Sequence, residues 1–361
     1  MKTCKLAIIG QGRSGRDIHG AFLRSDKNVH FEVAYVVDRA ADRRARALEE
    51  YPGCRVLCDY TELFDLPKVD LVVNASYSDE HCPITLDLLN HGFNVLVEKP
   101  MARNFYEASM MIETAKKNNV TLAVFQQTFL TPFYLETKKL VESGKLGEIK
   151  QVSIAYNGFA RRWDWQTLQE KMGGSVYNTG PHPIGLAVDL LGYDNVTVAY
   201  SKLDTVLTSG DANDFAKIIL TAPNKPLADV EIHSNDAYDS YRIKLYGSKG
   251  TYRCTTSNYE MKYIVDGENE PKPLIYDTLR GEDGTPLYCS ENLIMHEENG
   301  KFEGSAFDVA VESFYNMLFD TLTTGAELLI KPENVAKLIG VIETIHAQNP
   351  LPVKFIGGQR V

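Results

Sequence analysis

Three glycines in the order Gly10-x-Gly12-x-x-Gly15 carry a chemistry of phosphate binding. A short apolar run over 5–9 leads directly into them, and a stretch of helical composition over 13–23 follows. In that context the first glycine permits a tight turn and the second lets the backbone approach a pyrophosphate. The third lets helix and strand pack closely. The helix start, with Arg13 and Ser14, offers free N–H groups and a partial positive charge. Asp38 ends the second apolar run, where a carboxylate accepts hydrogen bonds from an adenosine ribose. A carboxylate about 4 Å from a 2′-phosphate repels it by several kcal/mol at an effective dielectric near 20. NAD is therefore expected in preference to NADP, with Arg39 partly offsetting the repulsion.

Other reactive side chains cluster at the ends of apolar runs. After 69–74 comes Ala75-Ser76-Tyr77-Ser78-Asp79-Glu80-His81, and after 94–97 comes Glu98-Lys99-Pro100. Ligands of open α/β sheets bind at the carboxyl ends of strands. Far downstream lies Gly173-Gly174-Ser175-Val176-Tyr177-Asn178-Thr179-Gly180-Pro181-His182. Asn178 and His182 are four apart, which puts them on one face if the segment is helical. Arg161-Arg162-Trp163-Asp164-Trp165 holds both tryptophans of the chain. Their faces suit sugar C–H surfaces, while Arg161 and Asp164 suit hydroxyls. The competing reading of that segment is a packed interface. His233 and Cys82 have no pattern around them and read as structural.

The elements that must position these residues alternate in the first third. Apolar runs over 5–9, 31–37, 69–74, 94–97 and 120–125 alternate with helical stretches over 13–23, 43–51, 84–89 and 105–118. That order implies a doubly wound parallel sheet. After residue 125 longer alternating runs at 149–157, 196–203, 215–220, 228–233 and 241–246 imply an open, largely antiparallel sheet, with a hairpin turn at Gly247-Ser248-Lys249-Gly250. Helices are expected over 307–322 and 332–346. The expected fold is α/β, with a Rossmann domain over 1–125 and a substrate and oligomerisation domain over 126–361. The closing helix over 332–347 is expected to return to the first domain. An open sheet face needs cover, and a homo-oligomer (dimer, tetramer or higher) through that sheet would supply it. The acidic stretch 266–270 and the loop 280–286 read as solvated turns.

Composition narrows the function classes. Of 361 residues 44% are hydrophobic and 24% charged, enough for a sizeable core. A formal charge of −10 without a basic block argues against nucleic acid or an anionic membrane as partner. Cys4, Cys54, Cys58, Cys82, Cys254 and Cys289 contain no Cys-x-x-Cys and read as reduced thiols. No His/Asp/Glu constellation calls for a metal. The apolar stretch 6–9 falls short of the roughly 7–15 residues of a secretory leader. No run approaches the roughly 20 residues of a membrane span, so a cytoplasmic protein is expected.

With these motifs the sequence resembles the Gfo/Idh/MocA family of sugar and cyclitol oxidoreductases. The resemblance rests on the glycine fingerprint, Glu98-Lys99-Pro100, the 173–182 segment, and the closing Thr324-Gly325-Ala326 with the helix from Pro332. It implies that the cofactor lies along Gly10, Gly12, Arg13, Ser14, Gly15, Asp38, Arg39, Ala75, Ser76, Tyr77, His81, Glu98, Lys99 and Gln127. It implies a sugar or glycoside substrate among Lys99, Gln126, Arg161, Trp163, Asp164, Trp165, Asn178 and His182. Lys99 matches the family's active-site lysine and His182 its catalytic histidine; Asn178 stands where many members have aspartate. An asparagine can orient a substrate but adds no charge, so His182 is expected to be a weaker base, or Lys99 to carry more of the proton transfer. Gln126-Gln127-Thr128-Phe129 replaces Asn-Arg-Arg-Phe, which argues against an anionic group on the substrate there. The residue types suit oxidation of a secondary alcohol, which releases a hydride to nicotinamide and a proton to a base. A lysine ammonium beside the same oxygen stabilises alkoxide charge.

The leading expectation is an NAD-dependent oxidoreductase acting on a neutral sugar, glycoside or cyclitol. The resemblance extends to enzymes that oxidise the C3 hydroxyl of a glucosyl group, the C-glycoside type included. Two alternatives share the fold: a redox-neutral NAD-dependent glycosidase, and a non-catalytic NAD or sugar sensor. Retention of Lys99 and His182 weighs against the sensor.

Overall fold

The computed structural model describes residues 3–238 and 241–361. The first apolar runs become β1 (Cys4–Ile9), β2 (Phe31–Val37), β3 (Arg55–Leu57), β4 (Leu71–Asn74), β5 (Val95–Val97) and β6 (Leu122–Val124). They pair in parallel in the order β3-β2-β1-β4-β5-β6. The order reverses between β1 and β4, which opens a crevice beyond their carboxyl ends. Leu6, Ala7 and Ile8 on β1 and Leu71, Val72 and Val73 on β4 are fully buried, as strands covered on both faces must be. The covering helices are α1 (Gly20–Leu23), α2 (Ala41–Glu50), α3 (His81–Asn90) and α4 (Phe105–Asn118). A wider, π-wound turn over Arg13–His19 leads into α1. Asn104 caps α4 by accepting from the Glu107 N–H, and Asn119 ends it in a left-handed conformation.

After α5 (Pro132–Ser143) the chain enters the second sheet. Its strands are β7 (Ile149–Ala155), β8 (Thr197–Asp204), β9 (Phe215–Thr221), β10 (Leu227–His233), β11 (Ile243–Gly247), β12 (Gly250–Cys254), β13 (Asn258–Tyr263) and β14 (His296–Lys301). The order is β14-β13-β12-β11-β7-β10-β9-β8. Every pair is antiparallel except β7–β10, so the sheet is mixed. Two short helices, α6 (Ser175–Asn178) and α7 (Pro183–Leu191), connect β7 to β8. A continuous helix that would put Asn178 and His182 on one face is not formed. Pro181 has no N–H to donate, and His182 instead precedes Pro183, the first residue of α7.

Two long C-terminal helices tie the sheets together. Along α8 (Ala306–Thr324), Tyr315 stacks on Phe22 of α1 at 4.6 Å. Along α9 (Pro332–Gln348), Glu343 accepts from the Phe105 N–H at the start of α4, and Glu333 pairs with Lys116. Three-residue β3, the helix α5 and the polar strands β13 and β14 lay outside the sequence expectations. None of the described helices is long and apolar enough to cross a membrane.

Candidate active site

The glycine turn behaves as three separate constraints. Gly10 has φ +91°, and a Cβ there would run into the Ala75 carbonyl. A Cβ on Gly15 would run into the Gly10 carbonyl oxygen. A Cβ on Gly12 would meet only the Arg43 guanidinium, 3.9 Å away, on the side facing the crevice. Gly10 and Gly15 are thus fixed by packing, whereas Gly12 leaves a cradle that only a ligand would feel.

The crevice is a cleft of about 760 Å³ whose lining includes both Asp38 and His182. Gly10, Gly12, Arg13, Ser14, Asp38, Arg39, Ala75, Ser76, Tyr77, Glu98, Lys99 and Gln127 all line it. Asp38 is held by backbone donors: its Oδ2 accepts from the Gln11 N–H at 2.7 Å and its Oδ1 from the Ala40 N–H at 2.8 Å. Arg39 reaches across to Glu80 at 2.9 Å, and this ion pair raises its pKa. Gln127 is buried with no partner for Oε1 among the described residues. An acceptor in that state fits a ligand that brings an N–H donor. Gly15 and His81 lie behind the lining. The two ring nitrogens of His81 face the Pro100 carbonyl at 2.7 Å and the Ser76 carbonyl at 3.3 Å, so it ties the loops after β4 and β5 together.

Lys99 and His182 line the same cleft, close enough for the lysine charge to act on the imidazole. Lys99 Nζ donates to the backbone carbonyl of Asn178 at 2.8 Å. Burial lowers the Lys99 pKa, with Arg13 and Arg162 adding to the effect and Glu98 opposing it. His182 Nδ1 lies 2.6 Å from the Thr128 hydroxyl. Burial, reinforced by the Lys99 charge, pushes the imidazole down to about 3. His182 is therefore neutral near pH 7. The Asn178 side chain does not reach His182; its Oδ1 accepts from Gln166 Nε2 at 3.1 Å.

Behind Lys99 lies a buried chain of three groups. Glu98 accepts from the Lys99 N–H at 2.9 Å and from His19 Nε2 at 3.2 Å. His19 Nδ1 is 2.8 Å from the Tyr315 hydroxyl on α8. Burial alone would raise the Glu98 pKa, but His19 and the Lys99 and His81 charges outweigh it and hold the carboxyl below its usual range. Glu98 thus supplies a fixed negative charge beneath the Lys99 ammonium.

The Arg161–Trp165 segment divides. Arg162, Asp164 and Trp165 line the cleft, Arg162 paired to Asp164 at 2.6 Å and Trp165 packed edge-on to Tyr77 at 4.9 Å. Arg161 and Trp163 lie outside the lining, with Trp163 78% exposed. Gln126 is fully buried and spends its amide on the Pro181 carbonyl at 2.8 Å, so it supports the His182 turn. The sequence reading missed Thr128, Gln166, His19 and Tyr315 as parts of the site. Only Thr128 had a signal, as part of the segment lacking the arginine pair.

Among the described residues no group of three or more His, Cys, Asp or Glu side chains is placed to hold a metal. The cleft's polar groups do fit a dinucleotide: backbone N–H groups at a helix start, an open cradle at Gly12, a carboxylate at a strand end and an orphan acceptor at Gln127.

Residues 4–126 match the model of an oxidoreductase family with an NAD-binding Rossmann fold, and residues 134–253 match the GFO/IDH/MocA C-terminal domain. The chain is 30% identical over 291 residues to inositol 2-dehydrogenase 2 of Saccharopolyspora erythraea, covering 78% of this chain and 83% of that one. It is 22% identical to the NADP(+) scyllo-inositol 2-dehydrogenase of Bacillus subtilis, over 94% and 92% of the two chains. Its matches to two uncharacterised oxidoreductases of Schizosaccharomyces pombe span 60% and 62% of their lengths. The crystal structure of the WlbA dehydrogenase of Bordetella pertussis, solved with NADH and UDP-GlcNAcA, superposes with a TM-score of 0.75. Identity there is 18%, over 96% and 95% of the two chains.

Proposed function

The chain belongs to the Gfo/Idh/MocA oxidoreductase family with its NAD-binding Rossmann fold, and on that premise we propose that it transfers hydride between a secondary hydroxyl of a neutral sugar, glycoside or cyclitol and NAD. The observation that carries the proposal is the convergence of Lys99 and His182, from different sheets, on the cleft that the glycine turn and Asp38 also line.

When bound, the nicotinamide accepts or returns the hydride. In this reading the backbone at Gly10–Gly15 receives the pyrophosphate and Asp38 accepts from the adenosine ribose. Gln127 Oε1 accepts from the carboxamide. Lys99, anchored by the Asn178 carbonyl and backed by Glu98, keeps an ammonium beside the substrate oxygen and stabilises negative charge there. His182, neutral, takes the hydroxyl proton at Nε2 while Nδ1–H donates to Thr128. Its low proton affinity matches a transfer that accompanies hydride departure, because an oxygen turning into a carbonyl gives up its proton even to a weak base. Asn178 Nδ2, Arg162 and Asp164 offer donors and an acceptor to neighbouring hydroxyls, and Trp165 a face for C–H groups. Arg162 and Asp164 offset each other's charge along their wall of the cleft, which suits a neutral substrate there.

The test is a panel of neutral sugars, glycosides and cyclitols incubated with NAD or NADP. It is read both as NADH at 340 nm and as keto-sugar by mass spectrometry. Keto product from at least one member, with NAD favoured over NADP in kcat/KM, is expected. Aglycone release without keto-sugar, or turnover undiminished in Lys99→Ala, would overturn the assignment. Comparable kcat/KM with both dinucleotides would overturn the role given to Asp38.

A further inference from the structure

Between β13 and β14 the chain makes a long excursion over residues 264–295 that contains no regular strand or helix. It is nevertheless built. The Asn269 side chain bonds both backbone groups of Ile294, donating to its carbonyl at 3.2 Å and accepting its N–H at 2.8 Å. Lys272 pairs with Glu291 at 3.3 Å. Leu287 N–H donates to the Leu279 carbonyl at 2.7 Å, and a bridge joins Arg280 to Pro286 near the tip. Two limbs are thus laced together at successive rungs and end in a tight turn, where Asp283 accepts from the Thr285 N–H at 3.0 Å.

Three large apolar side chains of this laced arm, Leu274, Tyr276 and Tyr288, are almost uncovered by the described residues of their own chain. Leu274 is 91% exposed, Tyr288 is 96% exposed and Tyr276 is fully exposed, with Ile275, Leu293 and Ile294 also in the exposed class. With Val265, Leu287 and Met295 the apolar side chains of the arm present on the order of 1,000 Å², against the roughly 800 Å² that one partner contributes to a standard interface. Monomers rarely expose contiguous apolar patches beyond a few hundred Å². The arm also grows from the edge of the second sheet, where β14 has only β13 as a hydrogen-bonded neighbour among the described strands. An edge strand beside an apolar projection offers self-complementary halves to a two-fold axis. The arm's carboxylates, Asp266, Glu270 and Asp277 among them, then stay at a wet rim.

We propose that the 264–295 arm is an assembly device that clasps a second copy of this chain through its exposed leucine, isoleucine and tyrosine side chains. The expected turn-like character of 266–270 and 280–286 is kept within one chain, while the limbs between them supply the contact. The proposal stands independently of which substrate the cleft takes.

The test compares the full chain with Leu274→Ser/Tyr276→Ser/Tyr288→Ser by sedimentation velocity from 1 to 50 μM. Because these side chains are almost uncovered by the described residues of their own chain, the variant should keep its circular dichroism and its NADH affinity. We expect a dimer or larger assembly for the natural chain, and at least a tenfold weaker association for the variant. As a second readout, a photo-crosslinking amino acid at position 276 should give covalent dimers. A natural chain that is monomeric at 50 μM would overturn the proposal. So would a variant that assembles as tightly as the natural chain, or a crosslinker at 276 that yields no dimer.

Discussion

The Thr128 hydroxyl lies 2.6 Å from Nδ1 of His182, across 54 positions of sequence. A hydroxyl can accept from Nδ1–H, which leaves the Nε2 lone pair facing the cleft, or donate to Nδ1, which puts a proton on Nε2. A carboxylate partner would favour only the first. Thr128 therefore suits either neutral tautomer of the imidazole. Replacing it by valine keeps the shape and removes the oxygen. Thr128→Val should lower kcat roughly 10- to 100-fold, with KM and NADH affinity little changed, and Thr128→Ser should retain most of the activity. Steady-state kinetics with an NADH titration checks this; an unchanged kcat in the valine variant would deprive the contact of its role.

Lys99 is one cause of the low proton affinity of His182. Lys99→Met removes that charge while keeping most of the volume, so the imidazole should titrate closer to its ordinary 6.5. Histidine ring resonances followed by NMR against pH give the measurement. The same variant should lose at least ~100-fold in kcat, because the ammonium beside the substrate oxygen is gone.

Acid should destabilise the fold earlier than carboxylate protonation alone would. Burial holds His182 at about 3 and His346 at about 4, both below 6.5. Between those values and 6.5 the unfolded chain binds protons that the folded chain refuses. Stability therefore rises with pH through that window and levels off above it. Each histidine contributes a slope of up to about 1.4 kcal/mol per pH unit. Urea unfolding at pH 7 and pH 5 should show the loss, and His346→Leu should shrink it by roughly 2 kcal/mol.

Two glycines of one motif should respond in opposite ways. Gly15→Ala drives a Cβ into the Gly10 carbonyl and should unfold the first sheet or abolish soluble expression. Gly12→Ala meets only the Arg43 guanidinium at an ordinary contact distance and should fold with a thermal midpoint near that of the natural chain, yet bind NADH at least tenfold more weakly. Calorimetry of folding and of binding separates the two.

The parts of this molecule that were legible beforehand are those written in short-range patterns. The glycine turn and Asp38 at a strand end lie within residues 10–38, the alternation that makes a parallel sheet repeats in short units, and each follows from local sterics or periodicity. Long-range pairings were not legible. Nothing near Thr128 announces an imidazole 54 residues away, and nothing near His19 announces a tyrosine 296 residues away. Loop orientation was equally hidden: of five consecutive residues from Arg161, three face the cleft and two do not. The polar strand β14 carries no apolar alternation, so only its ladder with β13 reveals it.

Tyr315 comes from α8, far along the chain, yet closes the buried relay that ends at Lys99. The nucleotide-binding half is consequently not an exchangeable cassette. A chimera that grafts residues 4–126 onto a foreign catalytic half would leave His19 facing an alien surface, with Glu98 losing its support. Such grafts should work only when the donor's late helix travels with them.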